Sequence, residues 1–291
     1  MTGGPPAHRP RHDRRHRLRR TAVVVGLIVF VTLIATLGHF TYRAYTGATC
    51  RVTAGGQSFG FTPEQARNAA TITAIAMKRG LPARAATIAL ATSLQESNLQ
   101  NVRYGDRDSL GLFQQRPSQG WGTEAEVLDP VHATNAFYDA LVKIDGYPTM
   151  EITKVAQEVQ RSAYPAAYAD HEGQGRVLAS TLSGHSPAGL GCRLGQSPAP
   201  VAADRLTTAL LAETGQTGVA AGDGRTVTVH TSDEQSAWGV AEWAVASADA
   251  FAVARVDVAD RSWRRDRGRR ALDWVTTDGP RDGTTVTITL A

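Results

Sequence analysis

Residues 83–97 read ARAATIALATSLQES, and residues 98–123 read NLQNVRYGDRDSLGLFQQRPSQGWGT. The first run is apolar and alanine-rich, with charges only at Arg84 and Glu96. Small and aliphatic side chains of this kind favour a helix that is buried over much of its surface. The second run changes character at once. Glycine, proline, aspartate and asparagine punctuate it, which predicts a loop over 101–120 with a small hairpin. A lone carboxylate, Glu96, is thereby placed at the end of an apolar helix, facing a polar loop. A carboxyl desolvated in that setting has a raised pKa and can serve as a general acid.

Outward from this stretch, helical signals dominate. Thr62 is a good N-cap, Pro63 takes the first helical position, and Gly80 follows the last turn. Asp129 and Pro130 open another helix, whose apolar positions Ala133, Phe137, Leu141 and Ile144 step by three or four. Ile152, Val155, Ala156 and Val159 predict a further one, and 164–183 a last one ended by Gly184. Residues 184–202 (GHSPAGLGCRLGQSPAPVA) are a linker by composition. The pattern then turns mixed. A short helix near 203–213 precedes the strand RTVTVH (225–230), a helix from Asp233 to about Ala250, a strand near 252–258 and the strand TVTITL (285–290).

Length and charge set the wider frame. The 291 residues suffice for one large domain or two small ones, and 42% hydrophobic residues exclude a wholly disordered chain. The net charge of +4 is unevenly spread: residues 1–20 carry +6, residues 261–270 carry +5, and the remainder carries −7. Residues 21–42 hold no Lys, Arg, Asp or Glu. Their apolar core, TAVVVGLIVFVTLIATLG (21–38), would make roughly 27 Å of helix, close to the hydrocarbon thickness of a bilayer. A cleaved signal peptide is the competing reading, but its apolar region would be only about 7–15 residues with a small-x-small site after it. The arginine-rich flank puts the N-terminus in the cytoplasm and the rest outside. In that oxidising compartment Cys50 and Cys192 can pair.

The fold expected is α+β: an N-terminal transmembrane helix, a mainly α-helical domain, then a small α+β domain. The expected boundaries are a basic cytoplasmic tail (1–20), a transmembrane helix (21–42), a linker (43–58), the helical domain (59–192), a second linker (193–202) and the accessory domain (203–291).

Glu96–Ser97, followed by Gly111–Leu112–Phe113–Gln114 on a helix-then-loop pattern, resembles the lytic transglycosylases, lysozyme-like enzymes that cleave peptidoglycan. The spacing from Glu96 to Gln114 is the family's usual one. Phe113 stands where the family has Met, and the family's later Ala-Tyr-Asn-Ala-Gly segment is absent. The nearest candidate for that segment is Val159–Gln160–Arg161–Ser162–Ala163. The layout is also similar to a group of actinobacterial single-pass membrane proteins with GDRDSLGLFQQRPSQGWG and VQRSA segments. The resemblance spans roughly 60–190 and implies a lysozyme-like domain. It implies Glu96 as general acid/base and a groove lined by Ser109, Gly111, Leu112, Phe113 and Gln114, with Gln160 in the role of the missing amide.

Such an enzyme needs one carboxylate, because the sugar's N-acetyl group assists and a 1,6-anhydro product forms. Asp106 and Asp108 are alternatives for a second carboxylate, or else turn residues that cap amides and pair with Arg107. Tyr104 and Trp121, in the loop, are candidate sugar platforms, whereas Phe137 reads as core. Gln115 and Gln119 could also meet sugar hydroxyls. The expected partners are peptidoglycan glycan strands, the membrane through 21–42, and an anionic wall polymer or a protein at Arg261–Arg270. No nucleic acid, cofactor or metal is expected. The alternative reading is a catalytically inactive glycan-binding or scaffold protein of a cell-envelope or conjugation complex.

Overall fold

A computed structural model describes residues 25, 29–34, 36, 47–160, 165–197, 199–221, 223–278 and 282–291. The chain divides into Met1–Gly47 and Ala48–Ala291. In the first unit, Val25, Val29–Ile34 and Thr36 are helical and exposed. The rest of the span expected over 21–42, and the basic tail 1–20, lie outside the described residues. Among the described residues no helix is long and apolar enough to cross a membrane.

The second unit is α+β, with two antiparallel sheets. The smaller sheet has the order β2-β1-β3, from β1 (Thr49–Ala54), β2 (Gln57–Phe61) and β3 (Leu190–Arg193). Gly55 and Gly56 join β1 to β2, both with positive φ. That is the two-residue turn whose twist matches a hairpin, and glycine adopts it without steric cost. Cys50 lies opposite Cys192 in the β1–β3 register, and the two form a disulfide. The larger sheet has the order β4-β5-β9-β6-β7-β8. Its strands are β4 (Gly218–Ala220), β5 (Thr226–His230), β6 (Val253–Val258), β7 (Arg261–Arg264), β8 (Val275–Thr276) and β9 (Thr285–Leu290).

The principal helices are α1 (Pro63–Lys78), α2 (Ala83–Ser97), α3 (Pro130–Leu141), α4 (Ile152–Gln160), α5 (Glu172–Leu182), α6 (Ala203–Thr214) and α7 (Glu234–Ala246). Thr62 caps α1 in a reciprocal box with Gln65, and the Asp129 carboxylate accepts from the Val131 and His132 amides to start α3. Nearly the whole length of α2 is buried, as its alanine-rich run predicts.

Parts of the two stretches read as linkers belong to the body. Residues 49–58 hold β1 and the start of β2, and 190–193 form β3. Val52 and Leu190, paired in register, are both fully buried. Residues 48–291 form one compact unit, so the segment 193–202 joins two parts of one body. Several bonds tie those parts together. Glu242 on α7 accepts from the amides of Gly189 and Leu190 at 2.9 and 3.1 Å. Trp274 Nε1 donates to the Leu190 carbonyl at 2.8 Å. Glu213 on α6 accepts from Arg67 and Thr71 on α1 and from Trp243 on α7. The helix expected over 164–183 is a 3₁₀ turn at Pro165–His171 followed by α5.

Candidate functional site

Glu96 stands in the last turn of α2, one residue before Ser97. The helix ends there because Asn98 takes the left-handed conformation, as does Leu99 after it. Asparagine tolerates that region better than most residues. The loop that follows is drawn back onto the helix by two serines. Ser93 Oγ and Ser97 Oγ both donate to the Leu112 carbonyl, at 3.0 and 2.8 Å. The side chains of Leu112 and Phe113 are fully buried, and Phe113 stacks on Phe137 with ring centroids 4.6 Å apart. The loop is therefore pinned from both sides, and its polar residues are left to face outward.

What faces outward is a cleft of about 300 Å³ lined by Glu96, Asp106, Ser109, Gln114, Arg116, Gln119, Trp121 and Gln160, together with Gln115. Gln114 has positive φ. Its amide nitrogen reaches the Tyr104 and Gly111 carbonyls at 3.4 and 3.3 Å. A Cβ on Gly105 would lie 2.6 Å from the Ser109 carbonyl oxygen, so the GDRDS turn needs glycine at that point. Gln160, at the end of α4, donates to the Phe113 carbonyl at 2.5 Å and also bonds the Glu96 carboxyl. Beyond Trp121 a second cavity of about 290 Å³ opens, sharing Gln119, Trp121 and Gln160 with the first and adding Ala140, Lys143, Ile144, Glu158 and Val159. The two cavities adjoin, with Trp121 lining both.

Glu96 carries the raised pKa of this site. Burial is the main cause, and hydrogen bonds from Tyr168 and Gln160 partly oppose it. Tyr168 Oη donates to Glu96 Oε1 at 2.5 Å. No cation pairs with Glu96 among the described residues. The group is thus suited to hold a proton above the ordinary carboxylate range and to release it into the groove.

Against known proteins, no family model matches this chain and no curated protein matches it.

The structure brings Glu96, Asp106, Ser109, Gln114, Trp121 and Gln160 to one cleft. It does not bring the others there as side chains. Tyr104 points to solvent, 75% exposed, and offers the site only its carbonyl. Leu112 and Phe113 are core residues that act through their carbonyls. Gly111 has positive φ, and a Cβ there would lie 2.5 Å from the Val127 carbonyl, so its role is close backbone packing. Hydrogen bonds from the Ser118 side chain and amide and from Arg116 Nε, the last two at 2.8 Å, hold the Asp108 pKa well below the usual carboxylate range. It is a turn residue, paired with Arg116 and not with Arg107. Arg161, Ser162 and Ala163 of the VQRSA string lie outside the described residues.

Sequence reasoning missed the role of Tyr168. No local pattern in the sequence marks it out. The bond to Glu96 spans 72 positions and depends on how the Pro165–His171 turn folds over α2.

Proposed function

We propose that this chain is a membrane-anchored, extracytoplasmic enzyme of the lytic transglycosylase type, acting on peptidoglycan glycan strands with Glu96 as its single general acid/base. One observation carries the reading. Glu96, Gln114 and Gln160, which the sequence separates by up to 64 positions, line one cleft, and burial raises the Glu96 pKa.

The chemistry follows from that arrangement. A glycosidic bond breaks when its oxygen is protonated while positive charge builds on the anomeric carbon. Glu96, whose burial favours the protonated form, gives its proton to the leaving oxygen. The sugar's own N-acetyl oxygen supports the anomeric carbon from the other face. Glu96, now a carboxylate steadied by the Tyr168 hydroxyl, removes the proton from the C6 hydroxyl, and that oxygen closes a 1,6-anhydro ring. Proton and carboxylate are then back where they began. Gln114, Gln160 and Ser109 offer donors and acceptors for acetamido and hydroxyl groups. The Trp121 face suits the apolar side of a pyranose ring. The anchor is residues 21–42, read from composition, and it places the groove outside the cell.

Digestion of purified peptidoglycan by the full chain tests this. Glu96→Gln should lower turnover about 10²–10⁴-fold while leaving the thermal midpoint within a few degrees. Undiminished digestion by that variant removes the mechanism. The scaffold reading gains ground if wall binding persists without products from either protein.

A further inference from the structure

We propose that the arginine-rich turn after β7 docks on anionic lipid headgroups and holds the body against the bilayer that anchors it. This rests on the reading of residues 21–42 as a membrane anchor.

Of the six arginines in 261–270, two are occupied. Arg261 pairs with Asp260, and Arg265 binds Asp249 and the carbonyls of Gly195 and Ala248. The other four, Arg264, Arg267, Arg269 and Arg270, are exposed, and none forms an ion pair with a described residue. Their backbone is held firmly. Leu194 N donates to the Asp266 carbonyl at 3.0 Å, Arg265 N to Ala254 at 2.8 Å, and Trp263 Nε1 to Ala271 at 2.8 Å. Exposed guanidinium groups on a fixed backbone offer a basic surface, and each can grip a phosphate with two parallel donors.

The turn also lies where the chain enters the body. Thr49, the first residue of β1, is opposite Arg193 on β3, and the next residue, Leu194, bonds Asp266. Arg51 on β1 donates to the Leu272 carbonyl at 3.0 Å and pairs with Asp273. Gly191 on β3 packs so closely that a Cβ there would lie 2.2 Å from the Leu272 carbonyl. With strands about 5 Å apart, the arginines flank the entry point. In the sequence only six residues, 43–48, separate the expected span from β1, a tether whose full contour is about 25 Å. A basic surface held that close meets phosphates of the bilayer before those of any more distant polymer, and each arginine near an anionic surface adds about fivefold to the local association.

The test uses the full chain reconstituted in vesicles with and without phosphatidylglycerol, followed by flotation and by amide hydrogen exchange over 264–272. The expected result is slower exchange in the anionic vesicles alone, lost at about 0.5 M salt, where screening shortens to a few ångströms. The variant R264Q/R267Q/R269Q/R270Q should exchange at the neutral-vesicle rate in both. The salt series on the natural chain stands by itself if that variant folds poorly. Identical exchange in both vesicles, with normal flotation, overturns the docking surface and leaves the anchor intact. Soluble polyphosphate that protects the segment where anionic vesicles do not overturns it in favour of a wall polymer. A chain that fails to float with either vesicle overturns the anchor reading, and this proposal with it.

Discussion

Glu96 and Glu213 both occupy the last turn of a helix, where the backbone carbonyls disfavour a negative charge. The body treats them differently. Glu213, 3% exposed, is surrounded by donors: both Arg67 nitrogens, the Thr71 hydroxyl at 3.0 Å and Trp243 Nε1 at 2.8 Å. Its charge is matched, and the match joins α1, α6 and α7. Glu96 is only half-buried and receives a tyrosine hydroxyl and a glutamine amide, with no cation. Its charge is unmatched, so it favours the proton. A carboxylate whose surroundings complete it serves the fold. One left incomplete beside an open groove is available for chemistry.

The largest expected effect breaks the structural member of the pair. Glu213→Ala strands Arg67 and the Trp243 N–H in the core and should lower stability by about 3–5 kcal/mol, read from denaturant midpoints. Glu96→Gln should leave those midpoints nearly unchanged. Equal destabilisation by the two substitutions would mean that the contrast between them is not real.

A smaller effect sharpens the functional member. Tyr168→Phe removes a hydrogen bond that favours the ionised carboxylate, so the Glu96 pKa should rise further. The proton then survives to higher pH, and the alkaline limb of the activity profile should move upward. The bond is worth about 1 kcal/mol net, so the shift should be less than about one pH unit. An unmoved or lowered limb would show that Tyr168 does not set the Glu96 pKa.

The helices of the groove were legible because their signals are local. Thr62, Asp129 and the Pro63 and Pro130 positions mark starts within one turn, and α2 announces itself by alanine content. The cleft was partly legible, since Glu96, Ser97 and the GLFQ segment lie on one helix and its returning loop. Side-chain direction within that loop was not. Nothing in the sequence says that Phe113 turns inward onto Phe137 while Gln114 turns outward. The small sheet escaped notice because β3 pairs with a strand about 140 positions earlier, and glycine-rich flanks on both sides resemble linkers. The Gly55–Gly56 turn and the Cys50–Cys192 spacing were its only traces.

The most direct test of the central claim is the chemistry of the product ends. Purified glycan strands would be incubated with the full chain and the fragments resolved by mass spectrometry. A single Glu96 acting as acid and then base predicts 1,6-anhydro ends, lighter than hydrolytic ends by one water. Reducing ends would mean that water, and not the C6 hydroxyl, attacks the anomeric carbon, and would contradict the account.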